Sequence, residues 1–268
     1  MLKLTIDQII ELFENDQIDE ITKKINLLHP GDAAQIINEL PAEYQVTAFN
    51  YLSSELASDV INDLHDELRE DILETIQQKR LVEIMDEMDS DEATDIAAEL
   101  DEHQLEDVLQ KIDKEDSDEI KQLLIYEEDT AGGIMQKEII NVNKEMNRAE
   151  MIDHIRDNYD EVEKLYYIFV TDEDNKLIGI LEASQLLLCK AEMKAVDIMD
   201  KDVISAPVEM DQEEVAGIFR KYDIYILPVV DNENHLLGRI TVDDIIDVID
   251  EEASEDVYKM VGLESEDK

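Results

Sequence analysis

Residues 42–131 contain neither glycine nor proline. Nothing in that run ends a helix by steric necessity. Its apolar residues recur at three- and four-residue spacing, which excludes strands and leaves many short amphipathic helices. A first helix starts upstream, where Thr5 and Gln8 form a capping-box pattern and Ile6, Ile9, Ile10 and Phe13 share one face. GDAAQIINEL at 31, LASDVINDL at 56 and SDEATDIAAEL at 90 repeat one pattern: an acid or small residue, an aliphatic pair, then a closing leucine. Stacked helices of about ten residues, forming an all-α superhelix, account for such weak internal similarity. Asp89 with Glu92, and Asp116 with Glu119, read as N-caps followed by a glutamate three residues on. Asp91 and Asp95, four apart, put two carboxylates on one helix face, where they repel by a few tenths of a kcal/mol. A solvated face is the plainest account of that pair.

The helical pattern stops at residues 126–135, YEEDTAGGIM, which hold two of the chain's seven glycines. Adjacent glycines reach backbone angles closed to other residues, so this stretch is expected to be a turn and a hinge between two packed bodies.

Beyond it the chain is duplicated. IMQKEIINVNKEM at 134 aligns with IMDKDVISAPVEM at 198, an offset of 64. LYYIFVTDEDNKLIGILEASQLL then aligns with IYILPVVDNENHLLGRITVDDII at an offset of 59, which leaves five extra residues in the first copy, near NYDEVEK. Each copy reads as strand, amphipathic helix, strand, polar turn, strand and closing helix, a βαββα unit. The fold class is therefore α+β multidomain: a helical superhelix followed by a tandem βαββα pair.

The balance of 23 basic against 71 acidic residues gives a formal charge of −48. Such a surface repels nucleic acid and anionic headgroups and favours cations as partners. The single cysteine, Cys189, lies in the apolar run LLLC and reads as a buried thiol in a reducing compartment. No signal-like N-terminus and no apolar run of membrane-spanning length is present in the sequence, so a soluble, cytosolic chain is expected. No P-loop, GxGxxG or nucleophile–base pairing suggests an enzyme, and no EF-hand loop suggests a Ca²⁺ buffer.

Acids are densest at residues 241–256, where eight of sixteen are Asp or Glu and none is basic. Asp243, Asp244, Asp247 and Asp250 have the spacing of one helix. Two carboxylates held 4 Å apart repel by about 4 kcal/mol at an effective dielectric of 20. Mg²⁺ suits such a surface, because it takes oxygen ligands, keeps several waters and needs only one or two carboxylates.

With GRITVDD at 238 carrying a Gly, Thr, Asp pattern, the two copies resemble a tandem pair of CBS domains. Together with the helical first half, YEEDTAGGIM, DQEEVAGIFRKYDIYILPVVD and TVDDIIDVIDEEASED, nearly the whole chain resembles the cytosolic part of MgtE-type magnesium transporters. The resemblance implies a helical N domain over residues 1–130, CBS domains over 131–198 and 199–253, and a connecting segment from 254 to 268. A connecting helix and a homodimeric five-helix membrane domain are implied beyond GLESEDK, at the cytoplasmic face of the cell membrane. It also implies Mg²⁺ positions at Asp59, Asp91 and Asp95 in the helical domain, at Asp223, Asp244 and Asp247 on the CBS side, at the Gly133 carbonyl, and at Glu255. The function implied is Mg²⁺ sensing, with ions bridging acids of the two parts to close the pore.

Some CBS pairs in the family bind ATP. Here Glu182 replaces the expected Ser/Thr of the first copy and Gln185 its ribose-binding aspartate, which weakens that expectation, although Tyr167 remains as a possible base-stacking residue. A free-standing CBS pair sensing an adenine nucleotide is the alternative reading. A CBS-mediated homodimer is expected, because Met151, Ile152, Ile155, Val215, Ile218 and Phe219 give the two amphipathic helices more apolar face than one sheet covers.

Overall fold

The computed structural model describes residues 5–158 and 165–261; the side chains at 250, 251 and 254–261 lie outside that description. Glu255 and all but the first residue of NYDEVEK therefore lie outside the described residues. The chain forms two compact units, Met1–Gln122 and Leu123–Lys268.

In the first unit, helices α1 (Ile6–Glu14), α2 (Ile18–Ile25), α3 (Pro30–Glu39), α4 (Ala42–Asn50), α5 (Ser54–Ile61), α6 (Asp66–Thr75), α7 (Gln78–Met85), α8 (Ser90–Glu99), α9 (Glu102–Leu109) and α10 (Lys114–Leu123) each begin twelve residues after the last. One helix plus one bend is the repeating element. Helices two apart stack, α3 on α5, α5 on α7 and α7 on α9, while α4 stacks on α6. The eleventh position of the repeat turns inward at five of the bends, where Leu40, Leu52, Leu64, Leu100 and Ile112 are buried; at the first bend it is the exposed Asp16. These include the closing leucines of all three segments singled out above.

A second device ties the repeats together. At the ninth position, Asn26, Asn38 and Asp86 accept the backbone N–H of Ser53, His65 and Asp113, at 2.5, 2.9 and 3.2 Å. Each of those donors immediately precedes the third helix onward. Asn26 and Asn38 also donate Nδ2 to the carbonyls of Tyr51 and Asp63. Side chains at one bend thus satisfy backbone groups that the next helices leave unpaired. Arg80 reinforces this, donating to Ser54 Oγ at 2.6 Å and to the Leu52 carbonyl at 2.7 Å.

The Thr5–Gln8 capping box forms, and Asp89 is the N-cap residue of α8. Asp116 is not an N-cap. Helix α10 begins at Lys114, and the Asp113 carboxylate takes the capping role by accepting from the Glu115 amide at 2.9 Å. Asp116 lies in the first turn, where its charge favours the positive end of the helix dipole.

The second unit holds two equivalent three-stranded sheets. The first copy contains β1 (Asn141–Asn143), α11 (Arg148–Asp157), β2 (Tyr167–Thr171), β3 (Leu177–Glu182) and α12 (Ala183–Leu188). After α13 (Ala195–Ile198), the second contains β4 (Ala206–Pro207), α14 (Gln212–Tyr222), β5 (Ile226–Val230), β6 (Leu236–Thr241) and α15 (Val242–Val261). In each, the first strand runs parallel to the second and the second antiparallel to the third.

The duplicated segments IMQKE and IMDKD are exchanged between the copies. Gln136, ahead of the first copy, pairs with Arg239 of β6; Asp200, ahead of the second, pairs with Ile180 of β3. Gly238 and Gly179 permit the crossings. A Cβ on Gly238 would meet the Gln136 carbonyl oxygen at 2.5 Å, and one on Gly179 would collide with the Met199 sulfur. Asn175 and Asn234 complete the symmetry: both are left-handed (φ 60° and 69°), and their side-chain amides donate to Leu236 O and Leu177 O respectively. Phe169, Leu177, Ile226, Val230 and Leu236 bury one shared apolar cluster.

Two expectations change. Residues 126–135 do not form a free hinge, because Ala131 and Gly132 donate to the carbonyls of Met210 and Val208 at 2.7 and 2.9 Å, and Gln212 donates to Asp129 O. Neither glycine there is left-handed. They are needed for close approach: a Cβ on Gly132 would meet the Tyr126 ring and Val208 at 2.7 Å, and one on Gly133 the carbonyls of Glu127 and Glu128. The apolar faces of α11 and α14 are not spare either. Met151 and Ile155 are buried in a cluster against which Ile198 and Met199 pack, Val215 and Phe219 are buried in a cluster with Ala131 and Met135, and Ile152 and Ile218 are half-buried.

Candidate metal-binding acids

In the first unit, Asp59 is exposed on α5 and Asp95 is exposed on α8, each the sixth residue of its helix. They occupy one position of the twelve-residue repeat, three repeats apart. Asp91 differs: only 7% exposed, it lies in the first turn of α8 and accepts from the Glu92 amide at 2.9 Å. The helix dipole stabilises its charge in place of water.

In the second unit, the exposed Asp223 ends α14 in a left-handed conformation (φ 52°), which aspartate tolerates better than most residues. Asp243 and Asp247 are exposed on α15. Gly133, half-buried, donates its amide to the Thr130 carbonyl.

Asp244 is the most constrained of the set. Its Oδ2 accepts from the Thr241 amide at 2.8 Å and from Thr241 Oγ1 at 2.7 Å, and its Oδ1 faces Gln136 Nε2 at 3.4 Å. Gln136 Oε1 accepts from Nε of Arg239, itself 8% exposed. A buried amide therefore bridges a buried guanidinium and a nearly enclosed carboxylate, a chain that ran undetected through the sequence because Gln136 and Arg239 lie far apart in it. Burial raises the Asp244 carboxyl above its ordinary pKa, against the Thr241 hydrogen bonds and the Arg239 charge.

Among the described residues no three His, Cys, Asp or Glu side chains converge to hold a metal by themselves. That donor pattern, carboxylates set singly or in pairs on exposed helix faces, fits a hydrated Mg²⁺ and does not fit a caged Zn²⁺.

Where the first copy departs from a nucleotide site, Glu182 takes the N-cap of α12 and Gln185 returns its Oε1 to the Glu182 amide at 3.0 Å. Tyr167, half-buried on β2, pairs across the sheet with Glu182. Its hydroxyl pKa is raised, by burial first and then by Glu182 and Tyr225.

Residues 28–129 match the family model of the MgtE intracellular N domain, and residues 131–191 and 195–251 match that of the CBS domain. A solved structure described as the soluble part of a magnesium transporter superposes with a TM-score of 0.78 at 33% identity, covering 92% of this chain and 98% of that one. The chain belongs to the MgtE family. A second solved structure, the cytosolic domain of the Mg²⁺ channel MgtE in complex with ATP, has a TM-score of 0.84 at 30% identity, covering 91% of this chain and all of the other. The magnesium transporter MgtE of Enterococcus faecalis is 39% identical over 147 residues, 55% of this chain and 32% of that protein. The match thus spans about a third of that relative's length. These MgtE relatives are transporters or parts of them, not enzymes, and no helix among the described residues is long and apolar enough to cross a membrane.

The enclosed carboxyl makes a pH prediction. A folded pKa raised above the unfolded one means that the native state keeps a proton the unfolded chain releases, so stability from Asp244 falls as pH rises through the raised value. Without divalent ions, Asp244→Asn should gain stability relative to the native chain from the ordinary carboxylate range upward, then level off. Urea melts of both proteins between pH 3.5 and 7.5 check this; a constant difference would mean that Asp244 titrates normally.

Proposed function

We propose that this chain is the Mg²⁺-sensing regulatory part of a magnesium transporter or channel, at the cytoplasmic face of the cell membrane. The observation that carries the reading is a formal charge of −48 in an MgtE-family chain whose acids line the exposed faces of α8 and α15. At high Mg²⁺, ions bridge acids of the helical domain (residues 1–130) to acids of the CBS domains (131–198 and 199–253), and a connecting segment from 254 onward carries closure to the pore. At low Mg²⁺ the same acids repel and the parts separate. Several weak sites act together, each shifting the equilibrium by its differential affinity for the closed state.

A homodimer through the CBS domains completes this reading, on a different surface from α11 and α14. Tyr166 and Leu187 of the first copy, and their counterparts Tyr225 and Ile246 of the second, are all more than half exposed, with Leu188 at 85%. A second copy of this chain would cover them.

A nucleotide-sensing CBS pair is the second reading, favoured by the ATP complex of the related structure. It is weakened here by Glu182, whose carboxylate stands where a hydroxyl would meet a ligand, and by Gln185, which cannot offer a carboxylate to a ribose. Glu182→Ser with Gln185→Asp should therefore raise ATP affinity at least tenfold by calorimetry; tight ATP binding by the native chain would reverse the order of the two readings.

Sedimentation should give a dimer at micromolar concentration with saturating Mg²⁺, and Leu187→Asp with Leu188→Asp should give a monomer. A native monomer would remove the dimer from the proposal.

Mg²⁺ should stabilise the chain by about 2.7 kcal/mol per site when its concentration is 100 times Kd. Asp91 is buried and bonded to its own helix, so exposed acids make the cleaner test. Asp95→Ala with Asp247→Ala should reduce the Mg²⁺-dependent gain in urea melts while raising stability in its absence. Equal curves for native and variant, or full replacement of Mg²⁺ by NaCl of the same ionic strength, would reduce these acids to a solvated surface.

A further inference from the structure

We propose that residues 126–137 are a strap which locks the start of α15, so that undocking of the strap and loosening of α15 are one event. The strap precedes the first CBS copy in sequence, yet it is fastened to the second. Ala131 and Gly132 donate to Met210 and Val208, Gln136 exchanges both backbone hydrogen bonds with Arg239, and Lys137 Nζ reaches the Leu237 carbonyl at 3.0 Å. Ala131 and Met135 are fully buried in one core cluster with Ile245 of α15, and Leu123, the last residue of α10, lies in that cluster too.

The joint is the side chain of Gln136. It is 5% exposed and holds Arg239 with its oxygen and Asp244 with its nitrogen. Asp244 in turn closes the first turn of α15 back onto Thr241. If the strap leaves, Arg239 Nε loses its acceptor and the Asp244 carboxylate loses a donor, both in a nearly dry environment where an unmade hydrogen bond to a charged group is costly. The equivalent place in the first copy has no such joint: Asp200, Ile180 and Gln185 stand where Gln136, Arg239 and Asp244 stand in the second, and Asp200 is exposed. Whatever displaces Leu123 therefore acts on the second copy and on α15 directly. This holds whether or not Mg²⁺ is the effector.

Amide hydrogen exchange on the full chain tests it. Gln136→Leu should speed exchange at Ala131 and Gly132 and, together with them, at Ile245 to Val248, by about ten- to a hundredfold; Asp200→Ala should leave both groups unchanged. Acceleration of the strap alone, or an equal effect of Asp200→Ala, would overturn the coupling. Should Gln136→Leu not fold, the native chain in sub-denaturing urea decides: coupled opening gives the two groups one opening free energy and one urea dependence, and separate isotherms would overturn it.

Discussion

Two backbone pairings, Gln136 with Arg239 and Ile180 with Asp200, determine how the second unit holds together. Each copy alone has a three-stranded sheet whose first strand is only three residues, or two, long. A sheet that short is marginal by itself. By exchanging leader segments, each copy supplies hydrogen-bond partners to the third strand of the other, and the αL turns at Asn175 and Asn234 repeat the exchange at the far end. Pulling the copies apart would expose the cluster around Phe169 and Ile226 and leave those backbone groups unpaired at once. The pair is therefore one cooperative body, and anything fastened to it, such as residues 126–137, is fastened to all of it.

Charge is distributed differently. Several arginines are engaged internally: Arg80 donates to Leu52 O, Arg69 to Asn62 O and Leu64 O while pairing with Asp66 and Glu99, and Arg239 donates to the Gln136 side chain. The other twenty basic residues face 71 acids, and ion pairs such as Lys24–Glu20, Lys114–Asp118 and Arg156–Asp153 are exposed and individually weak. Stability has to come from the cores, while the surface keeps its repulsion. A mobile cation is what such a surface lacks.

Much of this was legible in the residues and some was not, for identifiable reasons. The duplication gave both βαββα units, because Gly179 and Gly238, and Asp172 and Asp231, recur at one offset. The spacings of 24 and 36 between Leu40, Leu64 and Leu100 already contained the twelve-residue repeat, but helices of eight to ten residues begin on too many residue types for the period to show at their starts. The glycine pair suggests a hinge in sequence for a different reason: Gly132 and Gly133 are there because Tyr126, Val208 and the carbonyls of Glu127 and Glu128 crowd them, and such crowding is invisible in sequence. The apolar residues of α11 and α14 look surplus in sequence because the segments that help cover them, with Met199 and Met135, are exchanged between the copies, and sequence does not show the exchange.

The repeat also separates the candidate acids by kind. A period of twelve returns Asp59 and Asp95 to the same position on helices three apart, and both are exposed. Asp91 shares a helix with Asp95 and has the opposite environment: enclosed, bonded to the Glu92 amide and set against the positive end of α8. Spacing alone made the two equivalent. Burial divides them into an enclosed carboxyl at the start of the helix and an exposed one a turn further on.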